Sequence, residues 1–239
     1  MTDTAPSAPP EVRARLAVAL DVDDAVAALR IGRELQPWIG VAKVGLELYS
    51  AAGPDIVGGL HDLGLTVFCD LKLHDIPTTV GRAARVIGSL GAQYLNFHAQ
   101  GGVRMLGAGV EGFLAGAADA GLPAPTPLAV TILTSDGDAP PHILGKRVQA
   151  ALEAGCRGVV CAASDVREVK QLAPRFVTVV PGIRPAGTDA HDQARAATPE
   201  SAVADGADVL VLGRAVTQAA DPAAAAAAIA AVVAGASAG

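Results

Sequence analysis

At 239 residues the chain can hold one large α/β barrel or two small domains, and with 51% hydrophobic but only 3% aromatic residues its core must be built from Ala, Val, Leu and Ile. A formal net charge of −6, without a Lys/Arg cluster, argues against nucleic acid as a partner. Three cysteines, Cys69, Cys156 and Cys161, lack C-x-x-C spacing, so they indicate neither a disulfide framework nor a zinc site and point to a reducing cytoplasmic setting.

Residues 1–14, rich in Pro and without an apolar leader core, read as a disordered N-terminal tail, and 15–239 as one domain. From residue 16 onward, apolar β-rich runs alternate with helical patterns. The runs are "LAVALDV", "VAKVGLEL", "TVFCDLKL", "QYLNFHA", "PLAVTILT", "GVVCA", "FVTVVPGI" and "DVLVLGRAV". Segments such as "DDAVAALRIGRELQPW" and "TTVGRAARVIGSLG" between them have helical spacing, often with a Gly before the next strand. Strand then helix, eight times, predicts an α/β fold, a single (β/α)8 TIM barrel. An open doubly wound sheet is the alternative, but no G-x-G-x-x-G follows the first strand. A long polar loop, "RPAGTDAHDQARAATPE", follows the seventh run, and the Ala-rich C-terminus reads as a surface helix. That helix is too weakly apolar for a bilayer, which takes ~20 strongly apolar residues, so no membrane partner is expected.

Side chains alternate across a strand, so in "FCDLKL" Phe68, Asp70 and Lys72 face one way and Cys69, Leu71 and Leu73 the other. Applied to the first two runs, the same parity turns Ala17, Ala19 and Asp21, and Val41, Lys43 and Gly45, toward the barrel axis. Asp21, Lys43, Asp70 and Lys72 then meet at the rim where barrel active sites are built. Burying an unpaired charge costs several kcal/mol, so such a set is tolerable only as an alternating, mutually neutralising array. The competing structural readings make Asp21 a helix N-cap, Lys43 a snorkelling surface residue and "DLK" a plain ion pair.

With Asp21 in "ALDV", Lys43 in "KVG" and "DLKLHDIPTT" at residues 70–79, the chain resembles the orotidine 5′-monophosphate decarboxylase family. The likeness continues through "ILTS", "PGIRP", "DQARAATP" and "VLGRAVTQAADP", covering nearly the whole barrel. Thr78 stands where relatives commonly have Asn, and the loop after Thr134 varies in length among them. The resemblance implies conversion of orotidine 5′-phosphate to UMP and CO2 in pyrimidine biosynthesis, by a homodimer with shared active sites and no cofactor.

Removing CO2 from C6 of a pyrimidine leaves an electron pair in the ring plane, where the π system cannot delocalise it. The sequence offers no recognisable Schiff-base lysine and no cluster with metal-ligand spacing, so placed charge must lower the barrier. On this reading Lys72 sits by C6, stabilises the carbanion and protonates it. Asp70 lies by the substrate carboxylate, Lys43 holds Asp70 and Asp75, and Asp21 meets the ribose with Lys43. Asp75, Ile76 and Thr79 are implied to complete the neighbouring subunit's site. Barrels often grip phosphate with the loops after strands seven and eight, which here supply Pro181, Arg184, Gln193, Gly213 and Arg214. The length of that loop favours a lid. Thr134 is the candidate for the pyrimidine amide, ahead of Ser135. His98 shares inward parity with Asn96 and reads as a core histidine, and His74 as a neighbour of the site. Rival readings are a metal-assisted sugar-phosphate decarboxylase or aldolase of the same superfamily, and an idle nucleotide-binding barrel.

Overall fold

A computed structural model describes residues 7–133, 140, 142–185 and 197–237. Eight parallel strands close into a barrel in chain order: β1 (Leu16–Ala19), β2 (Val41–Gly45), β3 (Thr66–Leu73), β4 (Tyr94–His98), β5 (Thr126–Val130), β6 (Gly158–Val160), β7 (Val177–Ile183) and β8 (Val209–Leu212). Each falls on one of the eight runs read as strands, β5 starting one residue earlier at Thr126, and helices follow on the outside. The expected (β/α)8 architecture is the one observed.

The alternation of side chains separates two apolar regions. Leu16, Val18, Leu20, Ala42, Val44, Val67 and Cys69 point outward and pack under the helices. Ala17, Ala19, Val41, Phe68, Leu128, Val179, Val209 and Val211 fill the barrel interior as a separate cluster. Tyr94 meets Phe68 edge-on there, with ring centroids 6.0 Å apart. Side chains fill the lower barrel, and the open space of the barrel lies above this layer, at the strands' C-terminal ends.

Polar groups lock the opposite, N-terminal end. Asp208 Oδ2 accepts from Lys170 Nζ (2.7 Å), Thr178 N (2.7 Å) and Thr178 Oγ1 (2.9 Å). The Arg15 guanidinium donates to the carbonyls of Ala207 and Asp208, and Leu210 N donates to Arg15 O, which ties β8 to β1 at the seam.

The helices Pro77–Ser89 and Gly102–Asp119 touch backbone to backbone. A Cβ on Gly112 would lie 2.1 Å from the Gly81 carbonyl oxygen, and one on Gly116 1.9 Å from that of Arg85. Only hydrogen fits at these two positions.

Two sequence expectations change. Inside the stretch read as a disordered tail, Pro10–Arg13 form a helical turn with Pro10 at its start, where the preset φ of proline suits a helix. Val12 is buried in the outer core, and Gly40 N donates to Arg13 O, so the barrel domain begins earlier than residue 15. The C-terminal helix, Pro222–Ser237, is not merely a surface element, because Ala226, Ile229, Ala230 and Val233 are buried along one face. Among the described residues, no helix is long and apolar enough to cross a membrane.

Candidate active site

β3 carries the centre of the site, and it is irregular. Its pairing with β4 runs Phe68↔Tyr94 and Cys69↔Leu95, then resumes only at Leu73↔Phe97, so β3 takes four residues to cover what β4 covers in two. The surplus lies at Asp70, Leu71 and Lys72, and the two charged residues of this bulge both line the cavity. Lys72 absorbs the distortion with φ +50°, a left-handed backbone and, among the described residues, the only such value outside glycine. Strain of this kind persists only where surrounding contacts over-determine it.

The four rim charges form one alternating row. Lys43 Nζ lies 3.1 Å from Asp21 Oδ1 and 3.3 Å from Asp70 Oδ2, and Lys72 Nζ lies 2.6 Å from Asp70 Oδ1. Gly45 leaves room for the first pair, since a Cβ there would sit 3.3 Å from both Asp21 Oδ1 and Lys43 Nζ. Asp24, not Asp21, caps the following helix, accepting from Val26 N and Ala27 N, and so Asp21 is left to the rim. Lys43 is buried, with 11% of its side chain exposed, which rules out the snorkelling alternative. Burial alone would push the Asp70 carboxyl up, but Lys43, Lys72 and the hydrogen bonds from Lys72 and Asn96 outweigh it and hold the group below the ordinary carboxylate range.

Above the apolar filling is a cavity of about 490 Å³. Asp21, Lys43, Asp70 and Lys72 line it, as do Pro181, Arg184, Gly213 and Arg214. Val130, Ile132 and Val160 contribute apolar wall. Gly213 precedes the helical turn Arg214–Thr217, and Arg184 N donates to Ala197 O, so the chain re-enters beside β7 after the long loop. Arg184 and Arg214, from the segments after β7 and β8, thus line the same cavity as the array of carboxylates and ammonium groups.

The model of the Orotidine 5'-phosphate decarboxylase / HUMPS family matches residues 14–229. The chain belongs to that family. Relatives named orotidine 5′-phosphate decarboxylase, a carboxy-lyase, include one from Moorella thermoacetica, 45% identical over 88% of each chain. Another, from Anaeromyxobacter dehalogenans, is 47% identical over 88% of this chain and 94% of its own. Among solved structures, the orotidine 5′-phosphate decarboxylase of Lactobacillus acidophilus superposes with a TM-score of 0.79 at 34% identity, covering 91% of this chain and 98% of that one. The enzyme of the same name from Pyrococcus horikoshii gives 0.75 at 25% identity, with the same coverage.

Of the residues expected in the site, eight line the cavity and three do not. Asp75, Ile76 and Thr79 are exposed on the loop after β3 and the first turn of the next helix, outside this chain's own cavity. Asp75 Oδ1 accepts from Ile76 N (2.6 Å) and makes no ion pair with Lys43 or Lys72, so the expected hold of Lys43 on Asp75 does not exist within one chain. Thr134, Ser135 and Gln193 lie outside the described residues. His74 and His98 stack with ring centroids 5.5 Å apart beside the site. Burial, then Arg147, His74 and Lys72, hold His98 below the usual imidazole range. Among the described residues no group of three or more His, Cys, Asp or Glu is placed to hold a metal ion.

Sequence reasoning missed the part played by Asn96. Its side chain is fully buried against both Asp70 and Lys72, and the available signal was a polar residue of inward parity in an otherwise apolar strand, "YLNFH".

Proposed function

We propose that this protein is an orotidine 5′-phosphate decarboxylase that acts without a cofactor, and that it works in the cytoplasm as a homodimer with shared sites. The observation that carries the reading is that the Asp21–Lys43–Asp70–Lys72 row lines one cavity together with Arg184 and Arg214. A substrate that carries both a phosphate and a ring carboxylate matches that combination of charged groups.

Arg214 and Arg184 take the phosphate, with Gly213 allowing the backbone to approach, Pro181 stiffening the wall and Gln193 closing over it. Asp21 and Lys43 meet the ribose, and Thr134 the pyrimidine amide. The C6–carboxylate bond breaks heterolytically: CO2 leaves and the electron pair stays on C6. Lys72 Nζ stabilises that charge, gives C6 a proton, and is reprotonated from solvent. Because the donors are fixed before the reaction, little reorganisation is needed as charge develops. Grip on the remote phosphate supplies binding energy that the reacting centre uses.

Asp75, Ile76 and Thr79 serve the site of a second copy. Their exposure supports this, as does the 66% exposure of Ile76, an apolar residue beside the charged rim.

The test follows the absorbance of orotidine 5′-phosphate with purified protein after exhaustive chelation. Undiminished turnover is expected. A strict requirement for added Mg2+ would move the protein to the metal-assisted branch, and no turnover with or without metal would overturn the reading.

A further inference from the structure

Asn96 has no exposed surface and uses both ends of its amide. Its Oδ1 accepts from the backbone N of Lys72 at 2.7 Å, and its Nδ2 donates to Asp70 Oδ1 at 2.7 Å. The chemistry of the partners fixes the orientation, since an N–H needs an acceptor and a carboxylate needs a donor. Only a primary amide offers both at that spacing without adding charge.

The backbone explains the need. Where β3 bulges away from its register with β4, the Lys72 N–H loses a regular ladder position, and a buried N–H without a partner is costly. Asn96 supplies the acceptor from its side chain, at the residue whose φ is +50°. The same amide grips the carboxylate oxygen that receives the Lys72 ammonium at 2.6 Å. One side chain on β4 therefore spans both the main chain of Lys72 and the counter-charge of its Nζ.

We propose that Asn96 is a positioning residue for decarboxylation, holding the strained Lys72 backbone and the Asp70 carboxylate in one frame so that the ammonium is aimed before substrate arrives. This rests on the proposed decarboxylase activity, in which Lys72 serves C6. Asn96 lies beneath these groups and is not among the residues lining the cavity, so its loss acts on the geometry of the reacting centre and not on the phosphate grip. Misplacement of about 1 Å can cost on the order of 10²-fold in rate.

The experiment compares wild type, Asn96→Ala and Asn96→Asp, measuring kcat, KM and the UMP dissociation constant across pH at a temperature where all three are folded by circular dichroism. Asn96→Ala should lower kcat by about 10- to 100-fold, with KM and UMP affinity within about threefold of wild type. It also removes a hydrogen bond that favours ionised Asp70, so the acid limb of kcat should move to higher pH. Asn96→Asp fills the same volume but, when ionised, cannot donate to Asp70. Protonated, it offers an O–H to Asp70 and a carbonyl oxygen to the Lys72 N–H, so its kcat relative to wild type should recover as pH falls. A merely structural role would lower the melting temperature of both variants without moving the acid limb or producing that inverse pH dependence. If wild type decarboxylates the substrate while Asn96→Ala keeps kcat within threefold and Asn96→Asp shows no recovery in acid, the inference is wrong. That reading of Asn96→Asp stands by itself if Asn96→Ala does not fold. Failure of wild type to turn over would instead sink the functional assignment.

Discussion

The two ends of the barrel both hold Lys–Asp contacts, and they use them differently. At the N-terminal end Asp208 Oδ2 meets Lys170, the Thr178 hydroxyl and the Thr178 backbone, and Arg15 closes the β1/β8 seam through two carbonyls. These partners are all main-chain or side-chain groups of the same chain, and the network's product is closure of the sheet. At the C-terminal end the row from Asp21 to Lys72 is equally well paired, but it faces a cavity, is built on an irregular strand and includes a lysine with left-handed backbone. A fold seeking only stability would place apolar side chains there, since a well-packed apolar substitute commonly matches or exceeds a buried ion pair. The difference assigns stability to one end and chemistry to the other, with Asp75 and Ile76 exposed on the loop after β3.

Substitutions at the two ends should therefore separate kinetics from folding. The largest effect is expected for Lys72→Ala, which removes the group assigned both charge stabilisation and proton delivery. Its kcat should fall by ~10³-fold or more while UMP still binds, as read by single-turnover assays and calorimetry. Near-normal turnover would break the assignment. Arg214→Ala acts on the same end but at the phosphate. KM should rise about 10- to 100-fold, in line with ~1.5 to 3 kcal/mol for a charge-assisted contact, and an unchanged KM would place the phosphate elsewhere.

At the closed end, Asp208→Ala should leave kcat and KM alone and lower the unfolding free energy by about 1–2 kcal/mol, because the Thr178 groups lose their acceptor. Urea melts measure it, and a kinetic defect without destabilisation would erase the distinction between the ends. The smallest effect concerns pH. Asp70 is held below its ordinary range in the folded chain, so its contribution to stability is full above the unfolded carboxylate value and is lost as pH falls through the folded one. The stability gap between wild type and Asp70→Asn should accordingly narrow in acid, and a gap that does not change with pH would contradict the charge pairing.

Much of the active end was legible because strand parity is a local property. Asp21, Lys43, Asp70 and Lys72 could be placed at one rim from alternation alone, and all four line the cavity. What escaped was non-local or conformational. A lysine carries no preference for positive φ, so nothing in "DLKL" marks Lys72 as strained, and the partners of Asn96 lie 24 and 26 residues away on another strand. The proline-rich start suggested disorder, yet Pro10 is suited to a helix's first turn and Val12 finds a place in a core that composition does not display. In the Ala-rich C-terminal helix the buried and exposed faces are chemically so alike that packing, not pattern, decides which is covered.

The claim that the chemical end is finished by a second copy has a direct test in subunit complementation. Lys72→Ala and Asp75→Ala, each inactive, are mixed in equal amounts under conditions that allow exchange, with mixed dimers counted by an affinity tag. In a mixed dimer one site carries both defects and the other neither, so activity should return to about a quarter of wild type under random pairing and independent sites. Mixed dimers that form and stay inactive would contradict the account, because Asp75 would then act within its own chain.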